Sequence, residues 1–153
     1  MPTTIHARVR LCREGRAPAA IARLRSGWAV LFDRQPLEGY CLLLSDPVVP
    51  SLNDLDDEGR KQYLLDMTRI GDALLKATGA ARINYETWCN LDPALHTHVV
   101  PRYAGEPDDK RTLPACKAYD FAAARAFDPE RDRELLEELR AQLAPYAVPP
   151  SGA

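Results

Sequence analysis

The sequence predicts an α+β domain: a mostly antiparallel sheet with one long helix and a C-terminal helical extension. Three observations carry this. Short apolar runs bounded by turn residues crowd into residues 19–45. Leu52, Leu55, Tyr63, Leu64, Met67, Ile70, Leu74 and Leu75 then recur at helical spacing. Two further strand-like runs follow, the second carrying two histidines. Strands gathered around a segregated helix favour an antiparallel sheet. A length of 153 residues suits one domain with a real core. Residues 1–103 are expected to form that domain, and 104–153 an extension packed on it.

Each element has a local reason. Ala19 to Leu24 reads as a first strand, Ser26-Gly27 as a turn and Trp28 to Asp33 as a second strand. Gln35 to Gly39 has turn chemistry. Tyr40 to Ser45 is continuously apolar, as a central strand buried on both faces would be. His6 to Leu11 alternates and reads as an additional edge strand. Asp56 is placed to cap the long helix, Asp57 and Glu58 favour its positive end, and Gly79 suits its stop. Ala81 to Trp88 is a strand, Cys89 to Pro93 a loop, and the histidine strand follows, ended by Pro101. Gly105 to Arg111 reads as an exposed loop. Asp128-Pro129 opens a last helix with Leu135, Leu136, Leu139 and Leu143 as its apolar stripe. The tail from Pro149 is expected to fray.

Composition narrows the function. A net charge of −2 gives no general attraction to nucleic acid or anionic membrane. No stretch approaches the ~20 apolar residues of a membrane span, and no signal peptide is visible, so a cytoplasmic protein is expected. Cys12, Cys41, Cys89 and Cys116 form no C-x-x-C pair and read as small buried hydrophobes.

The chemistry concentrates in Leu95 to Arg102. His96 and His98 stand two apart on a strand, so both point to one face with Cβ atoms roughly 7 Å apart. Two imidazoles there can attack, donate protons or bind metal.

These residues resemble the histidine triad superfamily of nucleotidyl hydrolases and transferases. The family signature is His-x-His-x-His, then two apolar residues and often Pro-Arg. Anchored on Pro101-Arg102, His98 takes the third histidine position and His96 the second, which is the family's nucleophile; the first falls on Ala94. The run Trp28 to Ser45 resembles the family's strand–turn–strand, with Asp33, Pro36 and Gly39 in place and Tyr40 where the family has a histidine. The likeness covers residues 19–103 and is nearest a divergent bacterial branch labelled diadenosine-tetraphosphate-hydrolase-like. It implies a homodimer with joined sheets, a nucleotide substrate, and a nucleotidyl-histidine intermediate on His96 that needs neither metal nor cofactor. The carbonyl of Ala94 would orient His96, and His98 would assist the phosphate or leaving group. Asp33 would accept from ribose, Leu31 would touch the base, and Asn90, Asn84, Tyr40 and Arg102 would stand near the phosphates.

Plainer readings stand beside these. The histidines can be structural. Asp33 can be a turn acceptor, Asn90 a turn cap, Arg102 an exposed strand-end charge. Tyr40, Tyr85 and Trp88 read as core aromatics by default. Two other functions also fit: a nucleotide-binding module that has lost catalysis, and a metal enzyme using His96 and His98 with a third ligand.

Overall fold

The computed structural model describes residues 1–150. Five strands form one antiparallel sheet in the order β1-β2-β3-β5-β4. They are β1 (Ala20–Arg23), β2 (Gly27–Leu31), β3 (Cys41–Ser45), β4 (Arg82–Glu86) and β5 (His96–Arg102). β3 is the central strand, buried along its whole length. The helices are α1 (Thr4–Arg13), α2 (Asp57–Thr78), two single turns α3 (Asp108–Arg111) and α4 (Ala115–Ala118), and α5 (Arg133–Leu143). None is long and apolar enough to cross a membrane.

The sheet separates two apolar clusters. On one face, Ala29, Leu31, Cys41, Leu43 and Val99 pack against Tyr63, Ile70 and Leu74 of α2 and Leu136, Leu139 and Leu143 of α5. Each buried leucine is worth about 1.5–3 kcal/mol, which holds α5 in place although an isolated 11-residue helix is marginal in water. On the other face, Val30, Tyr40, Leu42, Leu44 and Val100 pack against Ile5, Val9 and Cys12 of α1 and against Ala115 and Phe121.

α2 begins and ends as its sequence signals. The Asp56 carboxylate accepts from the Gly59 amide at 2.7 Å, and Gly79 closes the helix with φ +69°. Gly27 allows β2 to pair tightly with β3, because a Cβ there would lie 1.8 Å from the Leu44 carbonyl oxygen.

Four expectations are corrected. His6 to Leu11 lies in helix α1, not in an edge strand; Ile5, Val9 and Cys12 form its buried stripe, and Thr3 with His6 makes a capping box. Pro101 does not end β5, which runs on to Arg102. β3 begins only at Cys41, opposite Val99, so no partner strand there needs the amide that proline lacks. Gly105 to Arg111 is not a free loop: it contains α3 and the buried Glu106. The last helix starts at Arg133; Asp128 instead accepts from the amides of Glu130 and Arg131 in a preceding turn.

Candidate active site

Even-numbered residues of β5 face the α1 side of the sheet, so His96 and His98 stand side by side with ring centroids 5.2 Å apart. Across the ladder they meet Leu44 and Leu42. They open into a cleft of about 590 Å³ lined also by the first turn of α1, Arg8, Phe32 and the loop Trp88–Pro93.

His96 is oriented by backbone. Its Nδ1 lies 2.7 Å from the Ala94 carbonyl oxygen. A carbonyl can only accept, so Nδ1 carries a proton, and in the neutral ring the free lone pair is the one on Nε2. The turn holding that carbonyl is pinned on both sides. The Ala94 amide donates to the Asp92 carbonyl at 2.8 Å, and the Leu95 amide to the Val49 carbonyl at 2.7 Å. Ala94 itself is fully buried among the apolar residues of this face. Ala94 therefore supplies packing and a carbonyl.

His98 sits deeper. Its Nδ1 is 2.8 Å from the Tyr40 hydroxyl, and its ring meets those of Phe32 and Tyr40 edge-on at 5.8 and 5.7 Å. Burial, then the neighbouring His96, pushes its pKa down to about 4. It is neutral at physiological pH. An unfolded histidine titrates near 6.5, so between there and about pH 4 the unfolded state binds more protons than the folded one. Stability therefore rises with pH across this window and is lost as pH falls through it, by up to about 3 kcal/mol. Urea midpoints at pH 7 and pH 4.5 check this. The difference should shrink in His98→Asn; an unchanged difference would remove His98 as its source.

The remaining residues divide. Asn90 is exposed and lines the cleft. Asp33 is engaged by Arg8 through two hydrogen bonds, one of 2.7 Å, and its side chain lies outside the histidine cleft. Leu31 faces α2 and is almost fully buried, so it does not line the cleft beside the histidines; the next residue, Phe32, does. Arg102 is neither exposed nor free. It is 6 % exposed and pairs with Glu106 at 2.9 Å, and it also donates to Asn84 Oδ1 and to the carbonyls of Leu113 and Lys110. Burial alone would raise the Glu106 pKa; hydrogen bonds from Arg102 and Tyr119 overcome this and hold it below the ordinary carboxylate range. Asn84 is thereby tied to a structural cation. Tyr40 is buried with its hydroxyl on His98, not in open space near a phosphate.

Besides Phe32, sequence reasoning missed three cleft residues, Trp88, Cys89 and Arg8. Trp88 is 60 % exposed at the rim and Tyr85 38 % exposed, so neither is a core aromatic. Cys89, half-buried with φ +54°, places its Sγ 3.6 Å from the His96 carbonyl oxygen and 3.9 Å from Nδ1. Cys116 is exposed, while Cys12 and Cys41 are buried as expected. Arg8 was hidden by the strand reading of its segment. Among the described residues, no group of three or more His, Cys, Asp or Glu is placed to hold a metal ion. The third histidine, His6, serves the cap of α1.

No family model and no curated protein matches the chain. Solved structures do. A histidine triad protein from Bradyrhizobium japonicum superposes with a TM-score of 0.68 at 22% identity, covering 80% of this chain and 88% of that one. A histidine triad protein from Marinobacter aquaeolei gives 0.70 at 17% identity over 88% and 96% of the two chains. The chain has the histidine triad fold. A hypothetical histidine triad nucleotide-binding protein from Sulfolobus tokodaii shares it too, with a TM-score of 0.70 at 12% identity over 91% and 92%. The histidine triad fold is an α+β architecture, as the sequence predicts, and here its antiparallel sheet presents the histidine pair on the face that α1 borders.

Proposed function

We propose that the protein is a nucleotide-binding hydrolase or transferase that cleaves a phosphoanhydride or phosphoramidate at the α-phosphate. The observation that carries this is the 2.7 Å contact between His96 Nδ1 and the Ala94 carbonyl, which leaves Nε2 as a nucleophile facing a cleft of nucleotide size. Nε2 attacks the α-phosphorus; the bond to the leaving oxygen or nitrogen breaks, and that atom departs with the electron pair and takes up a proton. Water, or another acceptor, then attacks the phosphorus of the nucleotidyl-histidine, and the P–N bond breaks. His98 donates to the leaving group or a phosphate oxygen. Asn90 offers its amide at the rim. The step needs no metal or cofactor.

The wider reading follows the same line. The Sulfolobus neighbour described as nucleotide-binding supports a nucleotide ligand. β4 is an edge strand, and we propose that a second copy adds its sheet there to make a homodimer; a monomeric mass by light scattering would remove this. The cytoplasm is the proposed location.

The test is adduct trapping. Incubation with nucleoside phosphoramidates and dinucleoside polyphosphates, followed by peptide mass spectrometry, should place one nucleoside monophosphate on His96. Nucleotide binding by calorimetry with neither adduct nor turnover would sink the enzyme and leave a binding module.

A further inference from the structure

We propose that Tyr40 is a positioning residue that fixes His98 as the Nε2–H tautomer, so that His98 presents a donor to the cleft while His96 presents a lone pair. This rests on the proposed reaction for its catalytic meaning but not for its geometry.

The hydroxyl of Tyr40 lies 2.8 Å from His98 Nδ1. Either atom can be the donor, and the surroundings decide which. Tyr40 is 1 % exposed, and Nδ1 of His98 is its hydrogen-bond partner among the described residues. If His98 donated from Nδ1, the phenol proton would be buried without an acceptor, which native interiors avoid. If Tyr40 donates, its proton is satisfied, Nδ1 is satisfied, and the imidazole proton moves to Nε2 on the opposite edge of the ring. His98 is neutral, so it has one N–H to place, and Tyr40 decides where.

The phenol cannot easily turn away. Its ring is packed between Phe32 at 5.3 Å and Phe121 at 5.5 Å, with His98 completing the enclosure. Its backbone is clamped by one side chain: Gln35 Oε1 accepts from the Tyr40 and Gly39 amides, and Gln35 Nε2 donates to the Tyr40 and Phe32 carbonyls. Phe121 comes from beyond the histidine strand, so the C-terminal part of the chain helps to hold the hydroxyl in line.

The consequence is a complementary pair. His96 is Nδ1–H because a carbonyl accepts from it; His98 is Nε2–H because a hydroxyl donates to it. Two adjacent imidazoles, 5.2 Å apart, thus offer one lone pair and one N–H to the same cleft. The opposite tautomer of His98 would turn a second lone pair toward an anionic phosphate and leave the reacting group without a hydrogen-bond donor.

Long-range ¹H–¹⁵N correlation spectra of the imidazoles in the substrate-free protein test this directly. The wild type should show His98 with a bare Nδ1 and a protonated Nε2. Tyr40→Phe keeps the ring packing and removes only the hydroxyl; it should shift His98 toward a tautomer mixture, with His96 unchanged as the internal reference. A protonated His98 Nδ1 in the wild type, or an unaltered His98 in Tyr40→Phe, overturns the proposal. The wild-type spectrum decides even if the variant fails to fold. If the proposed reaction operates, Tyr40→Phe should lower kcat about tenfold or more with KM nearly kept, because the His98 donor acts on charge that develops during the reaction. An unchanged kcat overturns the positioning role. Absence of turnover in the wild type would count against the reaction, while the tautomer result would still stand on its own.

Discussion

His96→Ala is expected to lower turnover by about a thousandfold or more while leaving nucleotide affinity within a fewfold. The two readouts separate because His96 would form a bond only during the reaction. The rest of the cleft, with Phe32, Trp88, Asn90 and Arg8, is untouched by the change. Alanine is already the residue two positions earlier, at Ala94, where it is buried without disturbing the turn, so a second alanine at a half-buried position should fold. Full activity in His96→Ala would end the covalent mechanism. Loss of binding together with activity would instead make His96 part of the ligand's grip.

Arg102→Leu is expected to cost about 3–5 kcal/mol, a fall in Tm on the order of 10 °C. The guanidinium lies 2.9 Å from Glu106 and donates to three carbonyls of the 104–113 segment, those of Lys110, Arg111 and Leu113; removing it leaves a carboxylate buried without its cation. Tyr119 and the Tyr103 amide still donate to Glu106 but carry no charge to offset it. The double variant Arg102→Leu with Glu106→Leu should recover part of the loss, because the stranded charge is gone. Thermal unfolding of both proteins checks this. A single-variant loss under about 1 kcal/mol would show the pair to be no stronger than a surface ion pair.

Much of this was legible in residues with strong local rules. Asp56 and Gly79 bracket α2, the apolar run of β3 announces a central strand, and the spacing of His96 and His98 places them on one face. What was not legible depends on burial from two sides or on distant partners. In Trp28 to Phe32 every residue is apolar, so no alternation reveals which face is which, and the pattern points to Leu31 where Phe32 in fact lines the cleft. His6 to Leu11 alternates by chance, while the buried stripe of Ile5, Val9 and Cys12 begins one residue earlier and keeps helical spacing. Arg102 is indistinguishable in sequence from a surface charge, because its partner Glu106 follows across a turn that only the fold closes. Cys89 carries no sequence signal at all; a left-handed residue after β4 brings it beside His96.

The placement of α1 has a practical side. Pro2 and Thr3 stand at the lip of the cleft, so whatever is joined ahead of Met1 enters the protein there. An affinity tag or fusion at the amino end would crowd the mouth of that cleft, and with it the entry of any ligand the proposed reaction uses. It would alter apparent kinetics without touching a single reacting group. Assays are therefore best made with the tag at the carboxyl end or removed.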